Sequence, residues 1–179
     1  GKKVLPMSHE EFEKRKLENS EVKGYKSTSI SITGAYAKEK AMENLPKLFE
    51  VANAYPDKFF VFAGGNTGED FREAMEKLKD QVPKNLLITA EWIKGNFNGF
   101  EYEGPPLYSY DGKYHGGVWG PDVYVNNSEL GAPGGSSFST PLISAEVDRL
   151  LSQVLSFEQA KAKILASSDV HKMQVADGT

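Results

Sequence analysis

The chain of 179 residues carries 21 basic and 25 acidic side chains, a net charge of −4, with 39% hydrophobic and 26% charged residues. That balance excludes a disordered chain, and no apolar run approaches the ~18 residues of a membrane-spanning helix. Charges of both signs are interspersed, which argues against nucleic acid or an anionic membrane as partner, and the absence of cysteine excludes disulfides, thiolate metal sites and a cysteine nucleophile.

The length suits a single domain spanning 1–179. The opening GKKVLPMSHEEF lacks the apolar core of a signal peptide, so no export signal is expected in this chain. Residues 8–18 have the pattern of a charged surface helix, with Ser8 as cap, Glu11 completing a capping box, and Phe12 and Leu17 as apolar contacts. TSISIT (28–33) alternates Ile30 and Ile32 with hydroxyl residues, predicting a strand that Gly34 ends. A helix is expected over 36–54, with Ala37, Ala41, Leu45, Leu48 and Ala52 on one side and Pro46 kinking or dividing it.

FFVFA (59–63) is a short continuous apolar run, the mark of a strand covered on both faces, and LLITA (86–90) is another strand of buried type. Between them Phe71, Met75, Leu78 and Val82 recur at helical spacing. The alternation of strand and helix predicts an α/β fold of three layers, a mostly parallel sheet with helices on both faces. Over 91–120 the composition shifts to Gly, Pro and aromatics, predicting a surface excursion with hairpins. Aromatics can stack nucleobases, but only Lys94 and Lys113 supply positive charge, so these rings are expected to pack the excursion onto the domain. PDVYV (121–125) returns to strand.

GAPGGSSFSTPLIS (131–144) is a glycine-rich loop leading into a helix with Leu142, Ile143, Val147, Leu150 and Leu151 on its apolar side, Pro141 being expected in the first turn. Ser137 then lies near the positive end of the helix dipole, where developing negative charge is favoured. Ser156 and Gln159 form a capping box for a last helix, 157–167, with Ala160, Ile164 and Leu165 inward. Paired carboxylates such as Glu69 and Asp70 are expected in the first turn of a helix, complementing its dipole.

Residues 135–141 fit the pattern Gly-(Thr/Ser)-Ser-x-(Ser/Ala)-x-Pro, and this segment resembles the nucleophile motif of the subtilisin-like serine proteases. AGGNTG (63–68) is similar to that family's Ala-x-Gly-Asn-x-Gly stretch, and the two segments occur in family order. The resemblance extends over roughly 20–170. It implies the C-terminal part of a subtilisin-like catalytic domain, lacking the N-terminal strands. By the same resemblance Ser137 is the nucleophile, and Asn66 with the Ser137 backbone N–H forms the oxyanion hole. Ala63, Gly64 and Gly65, with Ile32, Thr33 and Gly34, would flank a substrate pocket roomy enough for a large apolar side chain. The implied partners are a peptide or protein substrate and the upstream half of the same domain, and the implied location is secreted or cell-envelope. No cofactor is implied beyond structural calcium, for which no ligands can be assigned.

The family's Asp-(Ser/Thr)-Gly and His-Gly-Thr motifs do not occur upstream of Asn66. His115, in YHGGVWG, follows Asn66 and so falls in the wrong order. His9, His171, Asp111 and Asp177 sit in charged, polar or turn contexts. The triad aspartate and histidine are therefore expected from sequence outside this chain, and the 179 residues alone should hydrolyse peptides feebly at most. Two other readings remain open on the residues. One is a non-cleaving relative that binds peptides. The other is a nucleotide-binding α/β domain, because 63–68 followed by Glu91 resembles a degraded dinucleotide fingerprint.

Overall fold

A computed structural model describes residues 27–30, 40–66, 68–97, 99–106 and 118–167. The expectations for 8–18, for Ile32, Thr33 and Gly34, and for His9, His115 and His171 lie outside the described residues.

Four parallel strands form the central sheet in the order β1 (Ser27–Ile30), β2 (Phe59–Ala63), β3 (Leu86–Glu91) and β6 (Val123–Val125). Their register pairs Ser27 with Phe59, Phe60 with Leu86 and Thr89 with Val123. Every residue of β2 and β3 is buried, as a strand sandwiched between two helical layers requires.

The alternation of side chains along a strand explains how two short runs serve two layers. Phe60, Phe62, Leu86, Ile88 and Ala90 join α1 (Ala41–Ala54) and α2 (Arg72–Leu78) in one core through Ala41, Leu45, Phe49, Ala52, Ala74 and Leu78. Phe59, Val61, Leu87 and Val123 join α3 (Ser136–Leu151) and α4 (Phe157–Ser167) in the other through Val147, Leu150, Leu151, Ala160 and Ile164. Each large apolar side chain so buried contributes roughly 1.5–3 kcal/mol. Helices therefore cover both faces, as the sequence predicts, and no helix among the described residues is long and apolar enough to cross a membrane.

Local details depart from expectation in four places. α1 continues across Pro46 instead of dividing there; the ring costs the helix one donor, while the buried Leu45 and Phe49 on either side hold it against the sheet. In α3, Pro141 is the sixth helical residue and not part of the first turn, because the helix already begins at Ser136. Leu165, expected inward, is 40% exposed, and the inward stripe of α4 is Ala160 and Ile164 alone. Glu69 and Asp70 precede α2: Asp70 accepts the Arg72 N–H and pairs with its guanidinium, while Glu69 is buried. The capping box of α4 is made as predicted, with Gln159 N–H donating to Ser156 Oγ at 3.1 Å and Ser156 N–H donating to Gln159 Oε1 at 2.9 Å.

The excursion after β3 contains an antiparallel hairpin, β4 (Ile93–Phe97) and β5 (Phe100–Gly104). Trp92 is buried against Tyr124 at a ring separation of 5.1 Å, and Trp119 lies under the Arg72 guanidinium, so these aromatics do tie the segment to the domain. Phe100 does not; it is 78% exposed at the hairpin tip. On the far side of the sheet, Asp122 accepts the Ile88 N–H at 2.7 Å and faces Lys161 of α4. Burial pushes the Asp122 carboxyl up from its ordinary value and the Lys161 ammonium down, each partly offset by the other's charge.

Candidate functional site

In an open parallel α/β sheet the strands' carboxyl ends are where loops from different crossovers converge. Here β2 ends at Ala63 and runs into Gly64, Gly65 and Asn66, while β3 ends at Glu91. The loop 131–135 and the first turn of α3 pack across both ends.

Gly135 is the N-cap of α3, at φ 115° and ψ 146°. That region of backbone space is essentially reserved for glycine. The conformation turns the chain abruptly into the helix and points two successive amides at two different side chains. Gly135 N–H donates to Glu91 Oε2 at 2.6 Å. Ser136 N–H donates to Asn66 Oδ1 at 2.8 Å. The Ser137 N–H and hydroxyl make no hydrogen bond to any of the described residues. An α-helix leaves its first amides without intrahelical partners, so this N–H is an orphan of the first turn.

The four hydroxyl residues of this turn are sorted by exposure. Ser136, Ser139 and Thr140 are fully buried, whereas Ser137 is partly exposed. Ser136 Oγ accepts the Gly65 N–H at 3.2 Å, Ser139 Oγ donates to Asn127 Oδ1 at 2.9 Å, and Thr140 Oγ1 donates to the Ser136 carbonyl at 2.7 Å. Pro141 has no N–H to offer the Ser137 carbonyl four residues back, so the helix ladder skips that group. Ser137 is thus the one hydroxyl of the turn presented toward solvent, on a backbone fixed by its neighbours.

Asn66 reaches Ser136, the residue directly before Ser137, across 70 positions of sequence. The amide of Asn66 has its orientation set by the Ser136 N–H on Oδ1, which makes Nδ2 the donor end of the same group. Of the predicted pocket residues, Ala63, Gly64 and Gly65 are all buried beside this site. Gly65 has φ 106°, and a side chain there would collide with the Glu69 carboxylate; a Cβ on Gly64 would come within 3.1 Å of the Thr89 carbonyl oxygen and 3.3 Å of Val118. These glycines make room for the protein's own groups in those directions, not for a large substrate side chain.

Two residues hold the loop: Asn127, which sequence reasoning did not single out, and Glu91, which it singled out only for the dinucleotide fingerprint. Asn127, fully buried after β6, donates through Nδ2 to the carbonyls of Pro133 and Gly135, both at 3.0 Å. Glu91, 6% exposed, grips Gly135 from the end of β3. The available signal for Glu91 was its place as a carboxylate closing an otherwise apolar buried run, where a charge has to find a partner. Its engagement with Gly135 is also at odds with the dinucleotide fingerprint that Glu91 would complete, and the Gly65 N–H of the would-be phosphate loop is likewise taken by Ser136. Among the described residues no group of three or more His, Cys, Asp or Glu side chains gathers as a metal site. Comparison with protein-family models, with curated proteins and with solved structures found no match to this chain.

Proposed function

We propose that this chain carries the nucleophile half of a subtilisin-like serine peptidase. Ser137 attacks the scissile carbonyl of a peptide, and the resulting oxyanion is held by the Ser137 N–H and Asn66 Nδ2. The histidine that takes the Ser137 proton, and the aspartate that orients it, come from sequence outside these 179 residues.

The observation that carries the reading is the hydrogen bond from Ser136 N–H to Asn66 Oδ1. Two motifs recognised independently in the sequence converge in space, with the partly exposed serine directly following the tethered one. A glycine-rich loop capping an ordinary helix has no need of an asparagine from the neighbouring crossover. In support, the orphan N–H of Ser137 lies on a turn fixed by side chains from β2, β3 and β6, the preorganisation that oxyanion stabilisation requires.

The lack of an upstream aspartate or histidine motif in this chain favours one second reading, a peptide-binding relative that does not cleave. Hydrolysis of a peptide library by the full-length protein, compared with its Ser137→Ala variant, separates the two. Cleavage abolished in the variant supports the peptidase. Binding of peptides without cleavage by either protein supports the alternative, and cleavage retained in Ser137→Ala refutes the assignment of the nucleophile.

A further inference from the structure

In the loop that delivers Ser137, Pro133 restricts one backbone angle, but Gly131, Ala132, Pro133, Gly134 and Gly135 offer no side chain able to anchor it. Glycines leave the unfolded and unanchored chain the most conformations to lose. A nucleophile nevertheless has to be held to a fraction of an ångström, since a displacement of about 1 Å costs on the order of 10²-fold in rate. The anchoring therefore comes from elsewhere in the fold. Gly135 is gripped at both polar groups of its backbone, its carbonyl by Asn127 Nδ2 and its N–H by Glu91 Oε2.

We propose that Glu91 is a positioning residue for Ser137: its buried carboxylate fixes the Gly134–Gly135 peptide so that the Ser137 N–H and Asn66 converge on one point. This rests on the peptidase reading above. Several observations single out Glu91. At 2.6 Å its bond to Gly135 is short. A carboxylate 6% exposed at a strand end is costly to bury, so it belongs where it performs a task that an apolar residue could not. Gly134 is matched to it: a Cβ there would sit 3.2 Å from Glu91 Oε1 and press on the carboxylate.

Glu91 and Asn66 divide the work. Sitting at the ends of adjacent strands β3 and β2, they take the first and second of three consecutive amides, and the third is that of Ser137. Holding Gly135 N–H on Glu91 keeps that amide from competing for the oxyanion and sets the direction of the next two. Glu91 touches neither substrate nor reacting atom in this account; it acts through the loop.

The test uses full-length protein, with turnover expressed per active site titrated by a fluorophosphonate probe, so that partial unfolding does not count as lost catalysis. Glu91→Ala is expected to lower kcat roughly 10- to 100-fold with KM within about twofold. Glu91→Gln keeps an oxygen that accepts the Gly135 N–H and is expected to stay within about threefold of the unaltered enzyme. If Glu91→Ala does not fold, Gly134→Ala carries the test, since its added methyl displaces the carboxylate; it too is expected to lower kcat at constant KM. Unchanged kcat in these variants, equal losses in Gln and Ala, or a loss that appears in KM would overturn the proposal while leaving Ser137 as nucleophile. If the unaltered protein takes no probe on Ser137, the peptidase reading fails before any Glu91 variant is made, and the positioning role falls with it.

Discussion

At its front end α3 is entered through Gly135 at φ 115°, and at its rear the chain leaves through Val154 at φ 64°. Both are left-handed backbone positions, but they are built in opposite ways. The front uses the one residue without a Cβ, buries it, and ties it to Glu91 and Asn127. The rear places a β-branched side chain where it is strained, leaves it 93% exposed, and holds the turn by local bonds to the helix's own carbonyls, Gln153 and Val154 N–H to Leu150 and Leu151 and Ser152 to Asp148 and Arg149. The end proposed to carry chemistry has to be unique in conformation, whereas an end that only has to stop a helix tolerates a poor residue.

The comparison can be broken first at the front. On the proposed reading Asn66→Ala removes a donor to an oxyanion present only near the transition state, so turnover of the full-length protein should fall about 10²- to 10³-fold with KM little changed, a magnitude carried over from subtilisin itself with the resemblance. Steady-state kinetics on one peptide substrate decide it, and unchanged turnover would make Asn66 a mere strut for Ser136. Gly135→Ala meets no atom nearer than 3.8 Å, so its penalty is backbone strain alone, about 1–3 kcal/mol. Denaturant melts should show that loss, accompanied by a larger fall in activity than stability explains. A neutral result would mean the loop can enter the helix by another path.

The rear end predicts the reverse sign. Val154→Gly relieves the strain and gives up almost no burial, so stability should rise by about 0.5–1 kcal/mol, or roughly 1–4 °C in Tm, with activity unchanged. A drop in stability would show that Val154 is covered by a contact made outside the described residues.

A smaller effect comes from behind the sheet, at Asp122. Burial raises its carboxyl in the folded protein above the ordinary value of 3.8, so the folded state binds this proton more tightly than the unfolded chain does. Its contribution is therefore fully present below 3.8 and is lost as pH rises through the raised folded value. Asp122→Asn should remove that dependence, so the Tm difference between the two proteins should change across this window. Parallel Tm-against-pH curves would contradict the assignment.

How much of this was legible in sequence follows from the range of each interaction. FFVFA and LLITA announced buried parallel strands because nearly every position on both faces is apolar, Thr89 excepted, and Ser156 with Gln159 announced a helix start because both partners of the box lie within one turn. Ser137 and Asn66 were visible as motifs. What escaped was the scaffold around them. Glu91 reaches Gly135 across 44 positions and Ser136 reaches Gly65 across 71, and no local periodicity encodes such pairs. Pro141 was misplaced for a related reason: a proline is easiest at a helix start, but here the helix begins five residues earlier, where Gly135 and its tethers put it. Glu69 was expected in the first turn of a helix because nothing in the sequence shows that Gly65 leaves space for its carboxylate.

The central claim is that Ser137 alone, among the hydroxyls of its turn, is presented and activated. Treating the full-length protein with a fluorophosphonate probe and mapping the modified peptide by mass spectrometry tests it directly. The account predicts a single adduct on Ser137, none on the buried Ser136 or Ser139, and no adduct in Ser137→Ala; labelling that persists in that variant, or that falls on a different serine, would contradict it.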